Sequence, residues 1–150
     1  MEITTALLKK AQQRAQELGL PYAGALLPVE AIQVLQKNQS AQLVDVRSQA
    51  EWDWVGRIPG AIEIELRLYP SMQLNPHFLD ELTQRLDKTR PIFFICRSGA
   101  RSNQAASMAS EAGFNECYNI LEGFEGNKDD NGHRGNISGW KAAKLPWVQS

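Results

Sequence analysis

Apolar positions along the chain fall into blocks whose period changes from helical to strand-like and back. Ile3, Leu7, Leu8, Ala11, Ala15 and Leu18 recur at near-helical spacing among Lys, Gln and Arg. They predict an N-terminal helix over residues 1–20, stopped at Gly19 with Pro21 beyond. A second helix is expected from Pro28 to about Lys37, with Val29, Ile32 and Leu35 on its buried side. Leu43-Val44-Asp45-Val46 is a short, mostly apolar run of the kind a buried parallel strand needs. Ser48 and Glu51 form a capping box that opens a short helix over Ala50 to Trp54. Turn chemistry at Gly56 and Pro59-Gly60 precedes a strand at Ala61-Ile62-Glu63-Ile64. Asn75-Pro76 reads as an N-cap with proline at the first helical position, leading a helix that carries Phe78, Leu79, Leu82 and Leu86.

Pro91-Ile92-Phe93-Phe94-Ile95 is the most apolar stretch and is expected to be the central strand. A helix from Arg101 to Ala112 follows, ended by Gly113, and Cys117-Tyr118-Asn119-Ile120 reads as the last strand. A polar, glycine-rich run from Gly123 to Gly139 then leads to a short helix over Trp140 to Lys144. Strands alternating with helices predict an α/β fold, a mainly parallel sheet covered on both faces. In such sheets ligands sit outside the carboxyl ends of the strands, which directs attention to the Ile95-Cys96 junction.

Composition adds bounds. A length of 150 residues with 43% hydrophobic side chains is one domain's worth of core. A net charge of −1 gives no global attraction to nucleic acid or to a membrane surface. Two cysteines, Cys96 and Cys117, are too few for a disulfide scaffold. The first twenty residues lack the apolar core of a secretion signal, and no stretch is long enough to span a bilayer. A cytoplasmic protein is the expectation.

Local chemistry concentrates in Cys96-Arg97-Ser98-Gly99-Ala100-Arg101-Ser102. A nucleophile at the end of a central strand meets a tight glycine turn and then a helix N-terminus. Successive backbone N–H groups in such a turn converge on one point and form an anion-binding concavity. The helix adds unpaired N–H groups and the positive end of its dipole. Arg97 and Arg101 bring guanidinium groups to the same pocket. All of these favour the Cys96 thiolate over the thiol. Cysteine phosphatases need a wider loop, His-Cys, five residues and then Arg. Here Ile95 precedes the cysteine, four residues separate Cys96 from Arg101, and Ser102 stands where the phosphatase arginine would be. The narrower ring fits a sulfur atom better than a phosphoryl group.

In this loop and in the segments around it, the chain resembles the rhodanese family. Leu43-Val44-Asp45-Val46-Arg47 with Glu51-Trp52 is similar to the family's first motif. Arg57-Ile58-Pro59-Gly60-Ala61 is similar to its second, with Arg57 where histidine is usual. Leu121-Glu122-Gly123-Phe124 and Gly139-Trp140-Lys141-Ala142-Ala143-Lys144-Leu145-Pro146 resemble its closing motifs, with Lys144 where glycine is usual. The match runs over residues 24–148 and leaves residues 1–20 outside as an N-terminal helix.

The resemblance implies a rhodanese-like three-layer α/β/α domain and a sulfurtransferase. Cys96 would form a persulfide, the amides from Arg97 through Ser98, Gly99, Ala100 and Arg101 to Ser102 would cradle it, and Arg97 and Arg101 would position an anionic donor. Asp45 and Arg47 would brace the loop and the sheet. The expected partners are a small-molecule sulfur donor such as thiosulfate or a persulfide, and cyanide, a thiol or an acceptor protein as acceptor. No nucleic acid, membrane, metal or organic cofactor is implied. A binding or sulfur-carrier module on the same fold is the alternative from another class, with a phosphatase or arsenate reductase behind it. Asn127-Lys128-Asp129-Asp130-Asn131-Gly132 superficially resembles the start of a calcium loop, but Ser138 holds the position that needs glutamate.

Overall fold

A computed structural model describes residues 2–149; the first residue of the expected N-terminal helix, Met1, lies outside them. Helix α1 (Glu2–Leu18) leads to strand β1 (Gly24–Leu26), helix α2 (Pro28–Lys37), strand β2 (Gln42–Asp45), helix α3 (Gln49–Trp54) and strand β3 (Ile62–Glu63). A small hairpin of β4 (Arg67–Leu68) and β5 (Gln73–Leu74) follows, then α4 (Phe78–Arg85), β6 (Ile92–Ile95), α5 (Ala100–Glu111), β7 (Cys117–Ile120) and α6 (Gly139–Ala142). Five strands form one parallel sheet in the order β1-β7-β6-β2-β3, so the most apolar segment is indeed the middle strand.

The strand period of two divides the core. Ile92 and Phe94 face one side with Val44 and Val46, where Phe78 and Leu82 of α4 and Ala105, Ala106 and Ala109 of α5 cover them. Phe93 and Ile95 face the other with Leu26, Leu43 and Tyr118, under Ala11 of α1, Ala31 and Val34 of α2, and Trp140 of α6. This is the α/β/α sandwich that the apolar runs imply, because a strand buried on both faces has no polar side to show. Full burial of Phe93 and Phe94 contributes about 2–3 kcal/mol each. Among the described residues no helix is long and apolar enough to cross a membrane.

Several boundaries differ from the sequence expectation. Ile3 and Leu18 are exposed on α1, whose buried residues are Thr4, Ala11 and Ala15, with Leu7 and Leu8 packed half-buried against the core beside them. Small residues are needed there: a Cβ on Gly24 would lie 2.9 Å from the Ala11 carbonyl carbon and 2.7 Å from the Tyr118 ring. Arg14 ties this helix to the domain, donating to the Ala25 carbonyl (2.6 Å) and to Glu30 (3.0 Å). That same ion pair turns Glu30 inward, so α2 buries Pro28, Glu30, Ala31 and Val34 and leaves Val29 exposed. Helix α4 starts at Phe78 rather than after Asn75, because the Asn75 side chain accepts from the His77 N–H and closes a turn of its own. Strand β1 and the β4–β5 hairpin were not foreseen; runs of two or three residues carry no period.

Candidate active site

Cys96 lies just past the carboxyl end of β6, in the turn that becomes α5. Gly99 takes φ +112° at the N-cap of α5, a backbone region in which a side chain is strained. That twist brings its N–H to 3.1 Å from Cys96 Sγ. The rest of the turn is oriented from behind by residues 122–126. Phe124 N–H donates to the Cys96 carbonyl (2.7 Å), and the N–H groups of Glu125 and Gly126 donate to the Arg97 carbonyl (2.9 and 3.1 Å). In a trans peptide the N–H points opposite its C=O. Holding those carbonyls outward therefore turns the N–H groups of Arg97 and Ser98 toward the sulfur side, as an anion cradle requires. Gly123 lets the brace come this close: a Cβ there would lie 2.5 Å from the Arg97 carbonyl oxygen and 2.6 Å from that of Cys96.

The two loop arginines differ. Arg97 is exposed and has no carboxylate partner in ion-pair range among the described residues. Arg101 is half-buried and forms a two-pronged pair with Glu51, Nη1 to Oε1 at 2.7 Å and Nη2 to Oε2 at 2.9 Å. Glu51 also closes the α3 capping box with Ser48. Burial pushes the Glu51 carboxyl upward, but Arg101 and the Ser48 donors outweigh it and hold it at about 2. Burial likewise works against the Arg101 charge, and Glu51, then Cys96, raise it above its ordinary value. In the sequence Glu51 marks a cap and belongs to the first family motif; its pairing with Arg101 depends on α3 lying across the loop.

Asp45 and Arg47 are fully buried next door. Arg47 Nη2 donates to Asp45 Oδ2 and to the Gly56 carbonyl, each at 2.8 Å, and its guanidinium lies 4.1 Å from the centroid of the Phe124 ring. The pair thus connects the end of β2 to the brace behind Cys96 and does not face the cavity. Ser102 is buried, with its hydroxyl 3.2 Å from Cys96 Sγ and 2.6 Å from Asn119 Oδ1. Asn119, on β7, was not singled out from the sequence.

Above the loop opens a cavity of about 610 Å³. Arg97 and Arg101 line it at the base, and Trp54, Tyr69 and Met72 line it from α3 and the β4–β5 hairpin. Trp54 is 81% exposed and Tyr69 65%. Cys117 is remote. The β6–β7 register pairs it with Ile92, four residues before Cys96, which puts the two cysteines about 13 Å apart along the strands. A disulfide needs Cα atoms within about 7 Å, so the fold keeps them from bridging. Burial also pushes the Cys117 thiol up to about 12. In the 129–136 loop the Asp129 carboxylate accepts from the N–H groups of Asn131 and His133 and from Asn136 Nδ2.

Comparison with known proteins agrees with this geometry. A family model described as the rhodanese-like domain matches residues 28–130. The Rickettsia prowazekii protein RP600, itself uncharacterized, is 42% identical over 122 residues, covering 79% of this chain and 91% of RP600. The crystal structure of Rv0390 from M. tuberculosis superposes with a TM-score of 0.80 at 43% identity, over 86% of this chain and 99% of Rv0390. The thiosulfate sulfurtransferase GlpE of Coxiella burnetii is 28% identical over 91 residues, 61% of this chain and 75% of GlpE.

Proposed function

The chain belongs to the rhodanese-like domain family, and on that footing we propose that it is a sulfurtransferase that carries one sulfane sulfur as a persulfide on Cys96. The observation that carries the reading is the glycine turn after Cys96, whose Gly99 N–H donates to Cys96 Sγ at 3.1 Å. That N–H, with the amides of Arg97 and Ser98 turned to the same side, stabilises negative charge on sulfur, first as the thiolate and then as the outer sulfur of the persulfide.

With thiosulfate, the sulfonate end is drawn to Arg97, the exposed guanidinium at the base of the cavity. Arg101, already neutralised by Glu51, keeps the turn in shape and adds a nearby positive edge. The Cys96 thiolate attacks the outer sulfur, a Cys96 S–S bond forms, and the bond to the sulfonate sulfur breaks. Sulfite leaves with the electron pair. A thiophilic acceptor then attacks the outer sulfur and releases the Cys96 thiolate, with cyanide giving thiocyanate and a thiol giving a new persulfide. The exposed Trp54 and Tyr69 beside a cavity much larger than cyanide support an acceptor of some size, such as a dithiol or a cysteine on another protein.

Intact mass after incubation with thiosulfate, then with cyanide, tests this directly. Gain of one sulfur atom on the wild type but not on Cys96→Ser, discharged as thiocyanate, is the expected result. Failure of Cys96 to load from thiosulfate or from persulfide donors would sink the proposal and favour a non-catalytic binding role.

A further inference from the structure

Behind Cys96 runs a chain of buried polar groups whose protons can be counted. The Ser102 hydroxyl has one proton and three acceptors around it: Cys96 Sγ at 3.2 Å, the Gly99 carbonyl at 3.2 Å and Asn119 Oδ1 at 2.6 Å. The last is the short bond and takes the proton. Ser102 then offers sulfur only a lone pair, so the chain runs from the Cys96 thiol to Ser102 to Asn119, an arrangement that suits the thiol and not the thiolate. Ser102 and Asn119 are both buried, so no bulk water supplies a substitute donor.

The other end of the chain permits reversal. Asn119 Nδ2 points toward the Gly99 carbonyl at a long 3.4 Å, and its amide also interacts with the Tyr22 hydroxyl. That hydroxyl now binds Asn103 Oδ1 at 2.5 Å. A half-turn of the carboxamide exchanges Nδ2 and Oδ1 in the same space. Nδ2 then donates to Ser102 Oγ, Ser102 aims its proton at sulfur, and Tyr22 donates to Asn119 Oδ1. The links from Tyr22 through Asn119 and Ser102 to sulfur then all run toward Cys96, while the long contact of Asn119 Nδ2 to the Gly99 carbonyl and the Tyr22 bond to Asn103 are given up.

We infer that Asn119 is a positioning residue for the Cys96 thiolate, its carboxamide orientation deciding whether the Ser102 hydroxyl donates to sulfur or away from it. The hydroxyl keeps its proton and only re-aims it; the proton lost by the thiol leaves to water. The inference rests on Cys96 being the reacting group but not on which donor or acceptor it serves, so it is read from ionisation and not from turnover. The charged or titratable groups around Cys96 among the described residues are Arg97 and Arg101 of the loop and α5, Glu51 of α3, Asp45 and Arg47 at the end of β2, Tyr22 ahead of β1, and Glu122 and Glu125 of the segment behind the turn. None of them is altered in the variants below.

The test is the far-ultraviolet thiolate absorbance of the full chain against pH, with Cys96→Ser as blank; Cys117 stays silent because burial holds its thiol near 12. Ser102→Ala removes the donor, and the thiolate fraction on the rising part of the curve should fall about tenfold, the worth of one hydrogen bond to a charged group. Asn119→Ala removes the competing acceptor and should leave that fraction within about twofold of wild type, or raise it. An ionised Asn119→Asp carboxylate can only accept, so over the pH range where it is charged the fraction should fall at least as far as in Ser102→Ala. In the Ser102→Ala background the same Asn119→Asp change should do much less. Equal effects of Asn119→Asp with and without Ser102 would reduce it to added charge and overturn the inference. So would equal falls in Asn119→Ala and Ser102→Ala, the mark of a merely structural role. If circular dichroism shows Asn119→Asp unfolded, that last comparison decides alone.

Discussion

Replacing Glu51 by glutamine isolates one charge, because glutamine can still close the capping box with Ser48 while the ion pair to Arg101 is lost. The Glu51 carboxyl is held at about 2 against an ordinary 4.5, which converts to about 3 kcal/mol of stabilisation. The Glu51 side chain is only 19% exposed, so solvent screening removes little of it. A depressed carboxyl stabilises the fold above its unfolded value and loses that stabilisation as the pH falls toward its folded one. The wild type should therefore exceed Glu51→Gln by about 3 kcal/mol at neutral pH and by only about 1–1.5 kcal/mol at pH 3. Urea unfolding of both proteins at a series of pH values between these limits measures the gap. A gap that is absent at neutral pH, or that does not shrink on acidification, would refute the assignment of Glu51 as the electrostatic anchor of the loop. A gap that closes as expected, with persulfide loading also impaired in Glu51→Gln, ties the same charge to the shape of the Cys96 turn.

Gly123→Ala should cost about 2–4 kcal/mol and abolish sulfur loading, since its Cβ falls on the Cys96 and Arg97 carbonyls at a φ of +67°; denaturation and intact mass measure the two effects. Trp54→Ala and Tyr69→Ala should change stability by less than about 0.5 kcal/mol because both side chains are exposed. Steady-state kinetics should show the cyanide KM unmoved in both and the KM for a bulky thiol acceptor raised about fivefold or more. Cys117→Ala should load and discharge one sulfur at the wild-type rate in single-turnover mass measurements, since the fold keeps Cys117 from reaching Cys96; a slowed discharge would count against the geometry.

The sheet was legible in the sequence wherever burial on both faces forced it. Ile92 to Ile95 has no polar side to present, which marks a middle strand, and Cys117 to Ile120 is its neighbour, buried throughout although it carries Asn119. Helix phases were less legible. The apolar spacing of α2 placed Val29 inside, yet Glu30 is turned in by Arg14, a residue sixteen positions away on another helix. The hairpin carrying Tyr69 and Met72 escaped notice because its strands have two residues each, although it lines the cavity over the candidate nucleophile.

By itself, the sequence determined the α/β sandwich, the position of Cys96 at the end of its central strand and the glycine turn into α5. Each of these follows from local means: apolar runs, turn residues and backbone freedom within a few positions of one another. Tertiary structure alone decided which groups the loop would meet. Glu51 closes on Arg101 from fifty residues away, residues 122–126 hold two carbonyls outward, and Asn119 reaches Ser102 from the adjacent strand. Periodicity reports which face of an element is buried, but not which element lies against it. The electrostatics of Cys96 are set by those distant partners, and they come together only when the chain has folded.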